Sequence, residues 1–364
     1  MYCIKTYIKM MKIFCIIISL LLLSACSGET NGRDVLMRQL RESVSDGSIM
    51  FGHQDDLMYG HGWIHSEQTA DFSRSDVKES CGAFPAVYGM DLGGIETGSV
   101  TNLDGNTFDN MRASAIAHYK RGGVVTFSWH PRNPLTDGDA WDVSSANVVE
   151  SVLPGGSRHD LFMEWLANAA DFMESIQAGG RPIPLIFRPW HEHTGSWFWW
   201  GRDLCSTDQY KSLWKLTYDY MVSERGLDHL VWAYSPGAGG LTDELFAERY
   251  PGDDMVDVIG FDCYQYSSDE AYTDEMKRAL DIISSFGKDH DKILAVTETG
   301  FEGVKNPQWW TRVLYPAIQD YPVSYVLVWR NACDMDTHFY APFKGHESAG
   351  DFKEFSGFDN MKFL

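Results

Sequence analysis

Short runs of apolar and β-branched residues recur along the chain. Each closes on polar, glycine or aromatic residues and is separated from the next by a helix-like segment. Eight such runs occupy 49–53, 86–91, 124–130, 184–190, 230–235, 256–262, 293–298 and 325–330. Between them, Leu161, Trp165, Ala169, Phe172, Met173 and Ile176 repeat at steps of three and four, the stripe of an amphipathic helix. Tyr210, Leu213, Trp214, Thr217 and Met221 do the same, as do Met276, Leu280 and Ile283, whereas 243–248 carries a weaker pattern. Strands alternating with helices predict a parallel sheet, and eight of them favour an α/β fold of the (β/α)8 TIM-barrel type over an open doubly wound sheet. Active residues of such barrels gather at the C-terminal strand ends. A further helix-like segment at 34–40 is expected to pack across the bottom or side of the barrel. The connection 131–159 contains Asn133-Pro134, Asp137-Gly138 and Pro154-Gly155-Gly156, which are loop signals. Long loops on the catalytic face would form an open cleft, suited to an enzyme that cuts within a polymer.

At 364 residues and 44% hydrophobic content the chain can bury a large core, as two domains or as one barrel. No linker, internal repeat or low-complexity block divides it, so a single catalytic domain behind a short leader is the economical reading. In that leader Lys5, Lys9 and Lys12 precede the apolar run 13–23, too short for a comfortable spanning helix but apt for a secretory signal. Leu23-Ser24-Ala25-Cys26 then reads as a lipobox, resembling that of bacterial lipoproteins, against the plainer alternatives of an uncleaved anchor or an ordinary signal peptide. The expectation is removal of 1–25, lipid on Cys26, a tether over 26–33 and the catalytic domain over 34–364. The residues after Cys26 lack a dense acidic run, which favours an outer-membrane lipoprotein facing the periplasm over surface display. Of seven cysteines, Cys81, Cys205, Cys263 and Cys333 remain, without CxxC spacing and with no connectivity legible.

Charge narrows the partners. Loss of the leader removes three lysines and no acid, taking the formal charge from −21 to −24. Such a chain repels phosphate backbones and is a poor nucleic-acid binder, whereas a neutral polysaccharide is allowed. Aromatic residues make up 14% of the chain, and tryptophans beside polar strand-end residues suit the apolar faces of sugar rings. A monomer is expected.

The chemistry concentrates at two strand ends. Arg188-Pro189-Trp190-His191-Glu192-His193 sets a carboxylic acid among histidines, an arginine and indoles, and 293–297 leads into Glu298-Thr299-Gly300 in the same manner. Glycosidic bonds are commonly cut by two carboxyl groups, one protonated to assist the leaving oxygen and one ionised. Glu192 is assigned as acid and later base, and Glu298 as nucleophile. A free glutamate titrates near 4.3, so the acid needs a neighbouring carboxylate to hold its proton. The plainer alternative is two strand-end carboxylates in structural ion pairs. Arg188 is placed to hold a carboxylate by paired N–H donors. His191, His193, His53, Asp55 and Asp56 are capable metal ligands, but His-Glu-His is not a helical HExxH, and no metal or cofactor is expected. There is no phosphate loop and no GxSxG elbow.

Arg188-Pro189-Trp190-His191-Glu192 followed by Trp197, together with Thr297-Glu298-Thr299-Gly300, resembles glycoside hydrolase family 26, whose best-known members are β-mannanases. Phe51-Gly52-His53-Gln54, Ser128-Trp129-His130-Pro131, Gly260-Phe261-Asp262-Cys263-Tyr264 and Val328-Trp329-Arg330 extend the likeness over most of the mature chain. The resemblance implies a retaining endo-β-1,4-mannanase acting on mannan, galactomannan or glucomannan, with acid and nucleophile on strands four and seven and carboxyls about 5 to 5.5 Å apart. It implies that Tyr264 orients Glu298, that His130 and His191 flank the cleaved sugar, that Trp197 and Trp329 pack on sugars, and that Arg330 contacts the sugar beyond. Tyr264, the two histidines and the two tryptophans each also have a packing or barrel-mouth alternative. Trp199 and Trp200 either extend the cleft or anchor a loop, and His53 and Asp91 are expected to support rather than catalyse. The alternatives in function are a mixed-linkage glucanase or xylanase, or a catalytically silent glycan-binding lipoprotein.

Overall fold

The computed structural model describes residues 32–65 and 71–364. The expected leader, Cys26 and most of the tether lie outside the described residues. The eight expected strands are all present: β1 Ile49–Gln54, β2 Val87–Asp91, β3 Val124–Ser128, β4 Leu185–Arg188, β5 Leu230–Tyr234, β6 Val258–Tyr264, β7 Ile293–Gly300 and β8 Val323–Val328. Each pairs in parallel with the next, and β8 closes on β1 through Met50 opposite Tyr325 and His53 opposite Val328, which makes a closed (β/α)8 barrel. The ends differ from expectation in an informative way. β4 stops at Arg188, short of Trp190, because Pro189 has no N–H for the ladder and Trp190 turns to φ 54°, and β8 stops at Val328, short of Arg330. β6 and β7 run two residues further than their apolar runs do.

Strand alternation sorts the barrel into two layers. Met50, Val87, Val124, Ile186, Val231, Val258, Ile293 and Tyr325 pack together inside, with Ala233, Ala295 and Leu327 above them. The alternate positions, among them Phe51, Phe127, Phe187, Trp232, Phe261 and Val296, face the surrounding helices. Residues of the first set that lie nearer the C-terminal ends, such as Asp91, Arg188, Asp262 and Trp329, therefore point into the mouth. The helices follow their stripes: His159–Ser175, Thr207–Tyr218 with a Ser206–Gln209 capping box, Asp243–Glu248, and Asp269–His290.

The opposite mouth is plugged. Helix α1, Gly32–Ser45, buries Leu36 and Leu40 against the inner layer and so closes the N-terminal end. It starts inside the stretch expected as tether, since Arg33 ties its first turn to the Leu230 carbonyl and the Asp257 carboxylate. At the same end Met361–Lys362 pairs with the start of β1, and Phe363 bridges to Pro85. The connection 131–159 is mostly turns, as expected, but includes a short helix Val148–Val152 whose valines are buried. Among the described residues no helix is long and apolar enough to cross a membrane, and the four cysteines are free.

Candidate active site

Two backbone irregularities aim the two glutamates. In β7 the pairing with β6 slips between Phe261–Val296 and Asp262–Glu298, so Thr297 is the extra residue of a bulge. Ile293 and Ala295 face inward, and strict alternation would send Glu298 outward with Leu294 and Val296. The bulge re-aims it into the mouth. Thr297 fixes the kink by donating its hydroxyl to the Phe261 carbonyl (2.9 Å) and Asp262 Oδ1 (2.7 Å). After β4 the chain turns through Trp190 (φ 54°) and Glu192 (φ 52°), both left-handed and both non-glycine. Such residues cost of order 1–3 kcal/mol each and persist only when the surroundings hold them. Here the holding groups are specific: the Glu192 N–H donates to the Ser235 carbonyl (2.8 Å), the Tyr210 hydroxyl to the Trp190 carbonyl (2.9 Å), and the Trp200 indole to the His191 carbonyl (2.8 Å).

Glu298 is buried and its two oxygens have different donors. Arg188 Nη2 donates to Oε1, and the Tyr264 hydroxyl donates to Oε2 at 2.7 Å. The other guanidinium nitrogen of Arg188 reaches Asp262 Oδ2 (2.9 Å) and Ser235 Oγ (3.0 Å). Arg188 is thus a buried cation between two carboxylates, and both raise its already high pKa against the effect of burial. Glu192, partly open to the cleft, receives the Trp197 indole N–H on Oε2 at 2.6 Å. Its carboxyl is pushed up to about 7, first by burial and then by the Glu298 carboxylate, while Trp197, His130 and Arg188 pull it partly back. One glutamate is held by a cation and a phenol, the other by a neutral indole.

A histidine pair stands beside them. His130 Nδ1 lies 2.6 Å from Asp91 Oδ2, and its Nε2 lies 3.0 Å from His191 Nε2. Burial disfavours the charged His130 ring, but Asp91 outweighs burial and raises its pKa, whereas burial, Arg188 and His130 hold His191 well below the usual range. In its protonated form His130 donates on both sides, to the Asp91 carboxylate and to a neutral His191. Asp91 is itself kept low by His130, the Ser128 hydroxyl and the Gly93 N–H in spite of burial.

Glu192 and Glu298 line one cleft of about 550 Å³, with His130, His191, Trp197, Tyr264 and Trp329 among its walls. Trp197 is 46% exposed there. This is a pair of unlike glutamates across an aromatic groove at the C-terminal face of a (β/α)8 barrel. The model of glycosyl hydrolase family 26 matches residues 27–300.

The chain belongs to glycosyl hydrolase family 26.

Solved structures in this family superpose closely. A β-mannanase from Bacteroides ovatus is 47% identical with a TM-score of 0.88, over 92% of this chain and 96% of that one. The catalytic domain of an endo-β-1,4-mannanase from Bacillus sp. JAMB-750 is 30% identical with a TM-score of 0.82, over 92% and 93%. A mannan endo-1,4-β-mannosidase of Bifidobacterium adolescentis is 33% identical over 83% of this chain, which covers 32% of that protein's length. The corresponding protein of Bacillus subtilis is 31% identical over 55% of this chain, covering 56% of its length.

Within this family 26 barrel the remaining expected residues fall into two groups. Arg330, half-buried beside Trp329, bonds Asp104 Oδ1 (2.9 Å) and the Tyr59 hydroxyl (3.2 Å), tying β8 to the loops after β1 and β2. Trp199 and Trp200 are fully buried loop anchors, Trp199 through the Pro131 carbonyl. His53 pairs with Asp56 (2.7 Å), and Asp55 accepts from Tyr59 (2.7 Å). His193 lies apart from His191, packed against the rings of Tyr210 and Tyr234, because 191–193 is a turn and not strand. His191, Asp262 and Glu298 do offer three ligand atoms within 4.8 Å of one another, and one oxygen of each of the two carboxylates already accepts from Arg188.

Several cleft residues were not singled out from sequence. Trp141, 47% exposed, stacks on His130 at 5.2 Å and 11°, and Tyr266, 91% exposed, stands two residues beyond Tyr264. Asp262 and Ser235 hold Arg188 from β6 and from the end of β5. The inward alternation of those strands was the available signal for this last pair. For Trp141, deep in a long loop, there was none.

Proposed function

We propose that this protein is a retaining endo-β-1,4-mannanase that hydrolyses internal bonds of mannan, galactomannan or glucomannan without a cofactor. The observation that carries the reading is the division of labour between the glutamates: Glu192 pushed up to about 7, and Glu298 held by Arg188 and Tyr264. Glu192 protonates the leaving oxygen while Glu298 attacks the anomeric carbon, and Glu192 then takes a proton from the water that releases the sugar. Tyr264 and Arg188 aim Glu298. His130 and His191 flank the reacting sugar, Trp197 and Trp329 offer their faces to neighbouring rings, and Arg330, beside Trp329, contacts the sugar beyond. The names of the relatives support mannan as substrate, and an open groove supports attack within a chain.

Hydrolysis of unbranched mannan, galactomannan, glucomannan, barley glucan and xylan, followed by product analysis, tests the substrate. Activity confined to the last two would reassign it. The β-anomer should appear first by NMR; an α-anomer first would mean inversion. Glu192→Ala and Glu298→Ala should both abolish hydrolysis, whereas a silent glycan-binding barrel would lose nothing in either. For the whole protein we further propose a monomeric outer-membrane lipoprotein, anchored by lipid on Cys26 and facing the periplasm. Palmitate labelling that survives Cys26→Ala would refute the anchor, and rapid loss on proteinase treatment of intact cells would place it outside.

A further inference from the structure

Arg249 closes the helix Asp243–Glu248 after β5 and is buried, only 4% exposed. Among the described residues its guanidinium has no carboxylate hydrogen-bond partner. Instead Nη1 donates to the Trp200 carbonyl (3.3 Å), and Nη2 to the carbonyls of Arg202 (2.9 Å) and Cys205 (2.5 Å), with Cys205 Sγ at 3.6 Å from Nη1. The guanidinium also lies over the Tyr210 ring at 5.3 Å, the tyrosine whose hydroxyl holds the Trp190 carbonyl. A cation taken out of water and matched only by carbonyl dipoles is expensive and pins whatever supplies those dipoles. What it pins is the excursion 195–205, closed by the Arg202 N–H on the Gly195 carbonyl (2.7 Å). That excursion carries Trp197, the donor to Glu192.

We infer that Arg249 is a positioning residue of the active site: by gathering the carbonyls of 200, 202 and 205 it holds the loop that presents the Trp197 indole N–H to Glu192. The inference rests on the assignment of Glu192 as the acid. The groups that Arg249 hydrogen-bonds or stacks on, in Trp200, Arg202, Cys205 and Tyr210, are none of them residues lining the cleft. Around it stand Tyr210, Tyr234, Cys205 and His193, all felt by its charge. Around Glu192 the groups that set titration are Glu298, Trp197, His130 and Arg188. Of these, Trp197 alone is delivered by the loop that Arg249 binds.

The test is the pH profile of kcat/KM for mannan hydrolysis by the full-length protein and by Arg249→Lys, Trp197→Phe and the double variant. Lysine keeps the charge but cannot span three carbonyls in one plane. Arg249→Lys should lower kcat on the order of ten- to a hundredfold and move the basic limb to higher pH in the same direction as Trp197→Phe, with the double variant moving it no further. A stable Arg249→Lys protein with an unmoved basic limb would overturn the inference. If that variant does not fold, Arg249→Gln, which keeps two donors, is scored by the same rule, and failure of both to fold would also overturn it, since the residue would then serve the fold and not the alignment of the site. Should the unaltered protein hydrolyse none of the β-glycans, the assignment of Glu192 fails instead.

Discussion

The Trp197 indole N–H lies 2.6 Å from Glu192 Oε2, a donor supplied from five residues along the same loop. It is the largest influence opposing the two that raise the carboxyl, burial and Glu298. An N–H bonded to an ionised oxygen favours the ionised form, so this contact tunes the proton carrier downward. Trp197→Phe, which keeps the apolar face and removes the donor, is expected to shift the basic limb of kcat/KM upward from about 7. A downward shift in the measured profile would reverse the sign argued here.

Gly195 makes that contact possible. A Cβ at this position would sit 2.2 Å from the Trp197 ring, inside any real contact distance. Gly195→Ala should therefore push the indole off Glu192 and reproduce the upward shift of Trp197→Phe, with little change in melting temperature because the ring is on the surface. Unchanged titration in the alanine variant would show that the indole has another route to the carboxylate.

Because Glu192 is raised from its ordinary 4.5 to about 7, the folded chain binds more protons than the unfolded one between those values. Stability from this group is therefore intact below about 4.5, falls as pH rises through the window, and the deficit is complete above about 7. Glu192→Gln removes the deficit. Its melting temperature relative to the unaltered protein should be higher at pH 8 than at pH 4, and equal differences at both pH values would contradict the raised titration.

Arg188 holds Asp262 and Glu298 together at the cleft, all three buried. Removing the cation leaves two carboxylates facing each other without it, and burial already raises Asp262 even with Arg188 opposing. Arg188→Met should cost about 3–5 kcal/mol in denaturant unfolding as well as activity. A loss under about 1 kcal/mol would mean that water reaches the pair.

At the other end of the barrel, Leu40 is fully buried on α1 against the inner layer. Leu40→Ala should cost about 2–5 kcal/mol while leaving the pH profile unchanged, since the plug and the site lie at opposite mouths. Parallel loss of stability and of titration behaviour would show that the two ends are coupled.

The eight strands, their order and both glutamates were legible along the chain, because burial on two faces writes continuous apolar runs and strand ends carry the chemistry of a barrel. The aromatic and basic neighbours of Glu192 were legible for the same reason: they are local in sequence. Glu298 facing the cleft was not a matter of alternation at all. Period two sends it outward, and only the bulge at Thr297, set by pairing with β6, turns it in. Likewise Trp190 and Glu192 adopt left-handed backbone that no local preference favours, held by Ser235, Tyr210 and Trp200. The placement of Arg330 against Asp104 and Tyr59, the stacking of Trp141 on His130, and the grip of Arg249 on the 195–205 loop are contacts between distant segments. Local pattern records which side of an element is wet or dry. The direction in which a polar group finally points depends on which donors and charges the closed barrel brings within hydrogen-bond reach, and that was decided only by the tertiary packing.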